Sequence, residues 1–220
     1  QVGIHDDKCI AGLSRLAAAI RAEGSIAVTQ LHHAGTRAET AVTGLQPIAP
    51  SDDPHTGARA MSEGEVETMI EAFIAAAERA EKAGFDGVEL HGAHTYILCG
   101  FLSPDFNRRT DLYGGSLDNR LRYPLEVFSA MRAAWPKHKP MSVRISATDW
   151  AEGGITGDDA VQIARAFAEA GVDLVDVSTG QTVRDAQPVY GRMFQTPFSD
   201  QVRNEARVAT MCVGNITTAD

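Results

Sequence analysis

The feature that most constrains this chain is a repeated alternation of helical and strand periodicity. Residues 6–23 place Ile10, Leu13, Leu16, Ala17 and Ile20 on one helical face, and Gly24 stops the pattern. Strand-like runs follow at 25–31, 86–90, 141–147, 172–177 and 208–213, separated by helical stretches at 62–83, 117–135, 156–170 and 199–206. Ser62-Glu-Gly-Glu65 has the spacing of a capping box, Gly84 and Gly171 sit where helices end, and Pro136 closes the third helix. Five apolar strands alternating with helices predict an α/β fold with a parallel sheet, buried on both faces.

Two architectures satisfy that pattern, an open doubly wound sheet and a (β/α)8 TIM barrel. No Gly-x-Gly-x-x-Gly follows any strand, which removes the main dinucleotide fingerprint of the open sheet. Every strand instead ends in polar residues or glycine: Gln30-Leu-His-His33, Glu89-Leu-His91, Arg144 with Ser146 to Asp149, Ser178-Thr-Gly180, and Gly214-Asn215. A barrel collects its chemistry from the carboxyl ends of many strands at once, so the barrel is the better reading. Five strands leave an eight-stranded barrel incomplete. The long segments 36–61, without a clear helix, and 94–116 are expected to be binding loops or lids on the same face.

Composition narrows the partners. The net charge of −9 and the scattered basic residues argue against nucleic acid. No apolar run approaches the roughly 20 residues of a membrane span. Cys9, Cys99 and Cys212 form no CxxC pair, which points to neither a disulfide framework nor a thiolate metal site and suits a reducing, cytoplasmic setting. The chain opens on Gln1 and enters a helix within a few residues, as expected of a piece of a longer polypeptide.

His91, His94 and Tyr96 lie within six residues at one strand end. They can be satisfied polar groups, metal ligands if His33 or Glu89 supplies a third, or hydrogen-bond donors to a substrate oxygen with Tyr96 as a proton source. Arg144 interrupts the apolar run Ser142 to Ser146, either to pair with a carboxylate such as Glu89 or to face a bound anion. Gln30 can bond a ligand or cap the sheet. Arg108 and Arg109 are expected to pin their loop through Asp111 and Asp118.

Taken together, Gln30-Leu-His-His-Ala-Gly35, His91-Gly-Ala-His94-Thr-Tyr96, Phe101-Leu-Ser-Pro104, Asn107-Arg-Arg-Thr-Asp111, Tyr113-Gly-Gly-Ser-Leu-Asp-Asn-Arg120 and Val143-Arg-Ile-Ser146 resemble the Old Yellow Enzyme family of FMN-dependent NAD(P)H oxidoreductases and ene-reductases. The resemblance implies a (β/α)8 barrel of which residues 1–220 are the central part, about strands 3–7, the first two strands and the last lying outside. It implies FMN bound through Gln30, Arg144 and Gly214, NAD(P)H as reductant, His91 and His94 on the substrate oxygen, Tyr96 as proton donor, and no metal. Thr95 stands where the family usually has glycine, Thr36 separates Gly35 from Arg37, and Cys99-Gly100 replaces a polar pair.

The segments Val177 to Thr182, Pro188 to Pro197 and Thr210 to Ile216 are similar to the oxidoreductase half of bifunctional salicylyl-CoA and 2-aminobenzoyl-CoA hydroxylases. The implied substrate is a small molecule with an activated alkene or an aromatic acyl-CoA, and a fused monooxygenase domain or a homo-oligomer is compatible with it. Amine oxidation within the same superfamily and a non-catalytic flavin scaffold are the alternatives.

Overall fold

The structure, a computed structural model, describes residues 2–218. A single 3-10 turn at Asp7–Cys9 leads into α1 (Ile10–Ala22), then β1 (Val28–Leu31). The segment after β1 carries α2 (Thr40–Thr43), β2 (Ile48–Ala49) and β3 (Arg59–Ala60) before α3 (Glu63–Lys82). Next come β4 (Gly87–Gly92), α4 (Ile97–Leu102), α5 (Leu117–Ala134), β5 (Met141–Ser146), α6 (Gly157–Glu169), β6 (Leu174–Ser178), α7 (Thr196–Ala206) and β7 (Thr210–Cys212).

The main sheet is parallel with the order β1-β4-β5-β6-β7, and β2 and β3 form a small parallel pair of their own. Strand order therefore follows chain order without reversal. A doubly wound sheet reverses direction at a switch point and a barrel does not, so the order selects barrel winding.

Local chemistry explains the helices. Ser62 and Glu65 form a reciprocal capping box on α3, and Thr156 and Asp159 form another on α6. Each satisfies two otherwise orphaned N–H groups and contributes about 1 kcal/mol. Gly84 and Gly171 end those two helices' segments in the left-handed region, at φ 84° and 92°. The helices cover one sheet face, where Val88, Leu90, Val143, Ile145, Val175 and Val177 are buried with Phe73, Phe128, Met131 and Phe167.

Several boundaries differ from the sequence expectation. β1 is no buried strand: it stands at the sheet edge, and Val28 and Gln30 are exposed. β4 runs on to Gly92, so His91 belongs to the strand and does not follow it. β6 starts two residues later than expected and ends at Ser178, and α7 begins at Thr196 with Pro197 in its first turn. The two expected loops each hold a short helix, α2 in 36–61, where no clear helix was expected, and α4 in 94–116. All six residues of α4 are buried, so it shows no polar face for a periodicity search to find.

Candidate functional site

Strand pairing brings the site together. His91 on β4 pairs in register with Arg144 on β5, which pairs with Asp176 on β6. Side chains at matched register share a sheet face, so these three form one polar row opposite the helices. One step toward the amino ends lies a second row, in which Glu89 is registered with both Gln30 and Ser142. One step the other way, Ser146 pairs with Ser178.

Beyond β4 the chain turns sharply. His94 and Thr95 both adopt left-handed backbone, at φ 58° and 60°. Non-glycine residues there cost on the order of 1–3 kcal/mol each. Arg37 offsets that cost: its Nε donates to the carbonyl of His94 (2.9 Å) and to Thr95 Oγ1 (2.7 Å), and its Nη2 reaches the carbonyl of Gln181 (3.2 Å). The turn brings both His94 and Tyr96 against His91. Ring centroids are 5.4 Å apart for His91 and His94 and 4.7 Å apart for His91 and Tyr96. His32 stacks edge-on against Tyr96 at 4.5 Å.

A cavity of about 240 Å³ opens beside this cluster, lined by His94, Arg144, Ser178, Gly180, Gln195 and Gly214 among others. His94 Nε2 lies 2.8 Å from Ser178 Oγ. Gly214 (φ 108°) sits in backbone that strains any other residue, and a Cβ there would also displace the Gln195 amide, 2.4 Å away. The polar strand ends Arg144, Ser178 and Gly214 thus meet His94 at one cavity. Gln30 does not reach it: its Nε2 donates to Glu89 Oε1 at 2.8 Å, one row below.

Arg144 pairs with Asp176, not with Glu89 as the sequence suggested. Its Nε is 3.3 Å from Asp176 Oδ2, within ion-pair reach but without hydrogen-bond alignment, and its Nη2 donates to Ser178 Oγ at 3.4 Å. Glu89 is taken up by Gln30 and Ser142, whose Oγ donates to it at 2.9 Å. His33 Nδ1 accepts from the Gly35 N–H. Both candidate third metal ligands are therefore engaged elsewhere, and the described residues contain no group of three acidic, histidine or cysteine side chains arranged for a metal.

Burial sets the charge states. It is the main cause holding His91 down at about 3 and His94 at about 4, with Arg144 and Arg37 adding repulsion in both. Both imidazoles are neutral near pH 7 and each keeps one N–H to donate. Burial likewise pushes Asp176 up to about 6, against the pull of Arg144. Burial raises the Cys99 thiol to about 12, which makes it a packed residue and no thiolate.

The arginine-rich loop is structural. Arg109 grips Asp111 through Nε and Nη2 and donates from Nη1 to the carbonyls of Pro50 (3.0 Å) and Met61 (2.6 Å). Arg108 does not take the expected carboxylate; it donates to the carbonyls of Asp105 and Asp52, while Asp118 sits in the first turn of α5.

His32 and Ser178 stood within the polar strand ends read from the sequence but were given no role of their own, and Gln195 was not singled out. Alternation from Gln30 places His32 on the same strand face, and Ser178 ends a strand, so both carried a signal. Gln195 carried none, being recruited from 17 residues beyond Ser178.

Comparison with known proteins gives the family and the fold. The model of the NADH:flavin oxidoreductase / NADH oxidase family matches residues 1–220. An NADPH dehydrogenase of Halalkalibacterium halodurans is 43% identical over 217 residues, covering 99% of this chain and 63% of its own length. A 2-naphthoyl-CoA reductase solved with 2-naphthoyl-CoA superposes with a TM-score of 0.90 at 27% identity, over 99% of this chain and 36% of that one. An old yellow enzyme homologue from Zymomonas mobilis shares the fold, with a TM-score of 0.82 at 24% identity over 98% of this chain and 64% of its own. These structural neighbours are TIM-barrel enzymes, and the present chain is a partial barrel of the same type.

Proposed function

The chain belongs to the NADH:flavin oxidoreductase / NADH oxidase family, and we propose that it is the central part of one FMN-binding barrel domain that reduces an activated C=C bond. The remaining strands of the domain are supplied by sequence outside residues 1–220. The chain spans 63% of its H. halodurans relative and 36% of the naphthoyl-CoA reductase, which fits a barrel set within longer polypeptides, a monooxygenase fusion among them.

The residues present fit FMN. Arg144 offers a cation whose Nε has no hydrogen-bond partner, and Gly180 and Gly214 line the cavity with bare backbone. Arg144 and Gly214 line that cavity and would hold the group, whereas Gln30, also expected from the resemblance, lies one row below on Glu89. Bound there, FMN would supply hydride transfer from NAD(P)H to an activated alkene.

The protein's own part is polarisation and proton delivery. His91 and His94, neutral and half a nanometre apart, donate N–H groups to the substrate's carbonyl oxygen. Negative charge grows on that oxygen as the β-carbon is reduced, so the two donors bind the transition state better than the ground state. Tyr96 delivers its phenolic proton to the α-carbon. His91 and His32 fix its ring from two sides. An acyl-CoA thioester is the favoured substrate class, because the naphthoyl-CoA reductase of the same fold was solved with one.

What carries the reading is the clustering of the His91, His94 and Tyr96 rings beside a cavity that His94 and Arg144 line. Tyr96→Phe in the full-length protein is expected to lower alkene reduction by about 10²- to 10⁴-fold. Unchanged turnover overturns the proton-donor role. A full-length protein purified without FMN absorbance overturns the flavin assignment.

A further inference from the structure

Two stretches far apart in the chain run side by side at the site. The Ile97 N–H donates to the carbonyl of His33 at 3.1 Å. Gly35 opens a 3-10 turn over Gly35–Arg37 and lies against the Ile97 backbone, where a Cβ would stand 3.1 Å from the Ile97 nitrogen. Thr36 Oγ1 donates to the carbonyl of Thr95 at 3.4 Å. Arg37 completes the contact. Its Nε shares one N–H between Thr95 Oγ1 (2.7 Å) and the carbonyl of His94 (2.9 Å), and Thr95 Oγ1 in turn donates to that same carbonyl at 2.6 Å.

The guanidinium reaches further in both directions. Its Nη2 donates to the carbonyl of Gln181 at 3.2 Å, and its central carbon stands 5.9 Å from the centroid of the Tyr96 ring, within cation–π range. One exposed arginine thus touches the main chain of His94, the side chain of Thr95 and the ring of Tyr96. Its hydrogen bonds fall on the two residues whose backbone is left-handed, His94 at φ 58° and Thr95 at φ 60°. The β-branched Thr95 is the less tolerant of that region. Arg37 does not line the cavity, and its Nε and Nη2 are committed to acceptors within the protein.

We propose that Arg37 is a positioning residue, clamping Thr95 in left-handed backbone and so setting where His94 and Tyr96 stand beside the cavity. Without the clamp, Thr95 relaxes toward negative φ. The peptide planes on either side of it turn, and the side chains of His94 and Tyr96 turn with them. A displacement of about 1 Å at such groups costs on the order of 10²-fold in rate. Glycine is free of this dependence, because it visits positive φ about as readily as negative. Threonine at this position therefore requires the arginine, and glycine does not.

The consequence for catalysis rests on the proposed alkene reduction; the clamp itself does not, and it is tested separately. In full-length, flavin-loaded protein, amide hydrogen exchange over residues 92–98 reads the turn directly, since the N–H groups of His94, Tyr96 and Ile97 donate to Ser146 Oγ and to the carbonyls of Ala93 and His33. Arg37→Ala should speed that exchange about tenfold, the worth of a charge-assisted hydrogen bond, and lower kcat/KM for alkene reduction by roughly 10- to 100-fold. Adding Thr95→Gly should undo most of both changes. An arginine that acted only through its charge would gain nothing from that second substitution. Unchanged exchange in Arg37→Ala overturns the proposal, as does unchanged turnover in an active enzyme, or a loss that Thr95→Gly leaves in place. Should the alanine variant not fold, Arg37→Lys, which keeps the charge but not the fork of donors, carries the same prediction at smaller amplitude. Exchange that responds to both substitutions in a protein that reduces no alkene supports the clamp while overturning the proposed reaction.

Discussion

The two faces of the main sheet use the same strands for opposite ends. Toward the helices, β4, β5 and β6 present Val88, Leu90, Val143, Ile145, Val175 and Val177, each at most 1% exposed. Toward the other side the same strands present Glu89, His91, Ser142, Arg144, Ser146, Asp176 and Ser178. The first face gains stability from apolar burial. The second loses some of it, since buried polar groups repay their desolvation only when paired, and His91 Nδ1, Arg144 Nε and Asp176 Oδ1 have no hydrogen-bond partner. Unpaired buried groups on one face of an otherwise satisfied sheet mark where a ligand belongs. The proposed chemistry and fold stability are thus separated by the pleat itself, a distance of one residue.

That contrast can be broken by substitution. Leu90→Ala, on the helix side, should cost about 2–5 kcal/mol of unfolding free energy, read from denaturant midpoints, and leave the cavity chemistry of the folded protein in place. His91→Asn, one residue along, should reverse the pattern. Alkene reduction falls by roughly 10²-fold while the midpoint moves by less than about 1 kcal/mol. Comparable midpoint losses from both changes would mean that the faces are not separable.

Acidity sharpens the contrast. His91 and His94 have depressed values in the fold, about 3 and about 4, against about 6.5 unfolded. As pH falls below 6.5 the unfolded chain takes up protons that the folded one refuses, so stability is lost from 6.5 downward until the folded values are reached. Burial holds His32 and His33 below their usual range and acts in the same sense. Asp176, raised to about 6, acts in reverse: its contribution is full below the ordinary carboxylate range and is lost as pH rises through 6. Denaturation midpoints between pH 4.5 and 6.5 should therefore fall with acidity, and His91→Asn should flatten the slope. The smallest effect belongs far from both faces. Thr156→Ala removes the α6 cap at a cost of about 1 kcal/mol and leaves alkene reduction untouched, as midpoint and turnover assays would show.

Much of this was legible in the chain, for reasons that differ by element. α3 and α6 announce themselves through Ser62 and Thr156, because capping is a local interaction a few residues long. The polar strand ends were legible as a group, and they favoured barrel winding before any strand order was known. The identity of the Arg144 partner was not legible. Asp176 and Glu89 both sit on neighbouring strands, and only lateral register decides between them. α4 escaped because a wholly buried six-residue helix has no amphipathic signature. For the His91, His94 and Tyr96 cluster, the residues by themselves left metal binding and oxygen polarisation open; the resemblance carried by the surrounding motifs chose between them. Burial in the fold adds what neither supplied, namely that both imidazoles are uncharged.

The paired left-handed residues at His94 and Thr95 bear on the order in which this molecule acquires its shape. An unfolded chain seldom visits two such conformations in succession, least of all at a β-branched threonine. What holds them is Arg37, delivered by the segment after β1, some 57 residues earlier in the chain. The reactive turn therefore cannot be a local nucleus around which the rest assembles. It takes form only when two distant strands have already met, so the capacity for chemistry arrives with the tertiary structure and not before it.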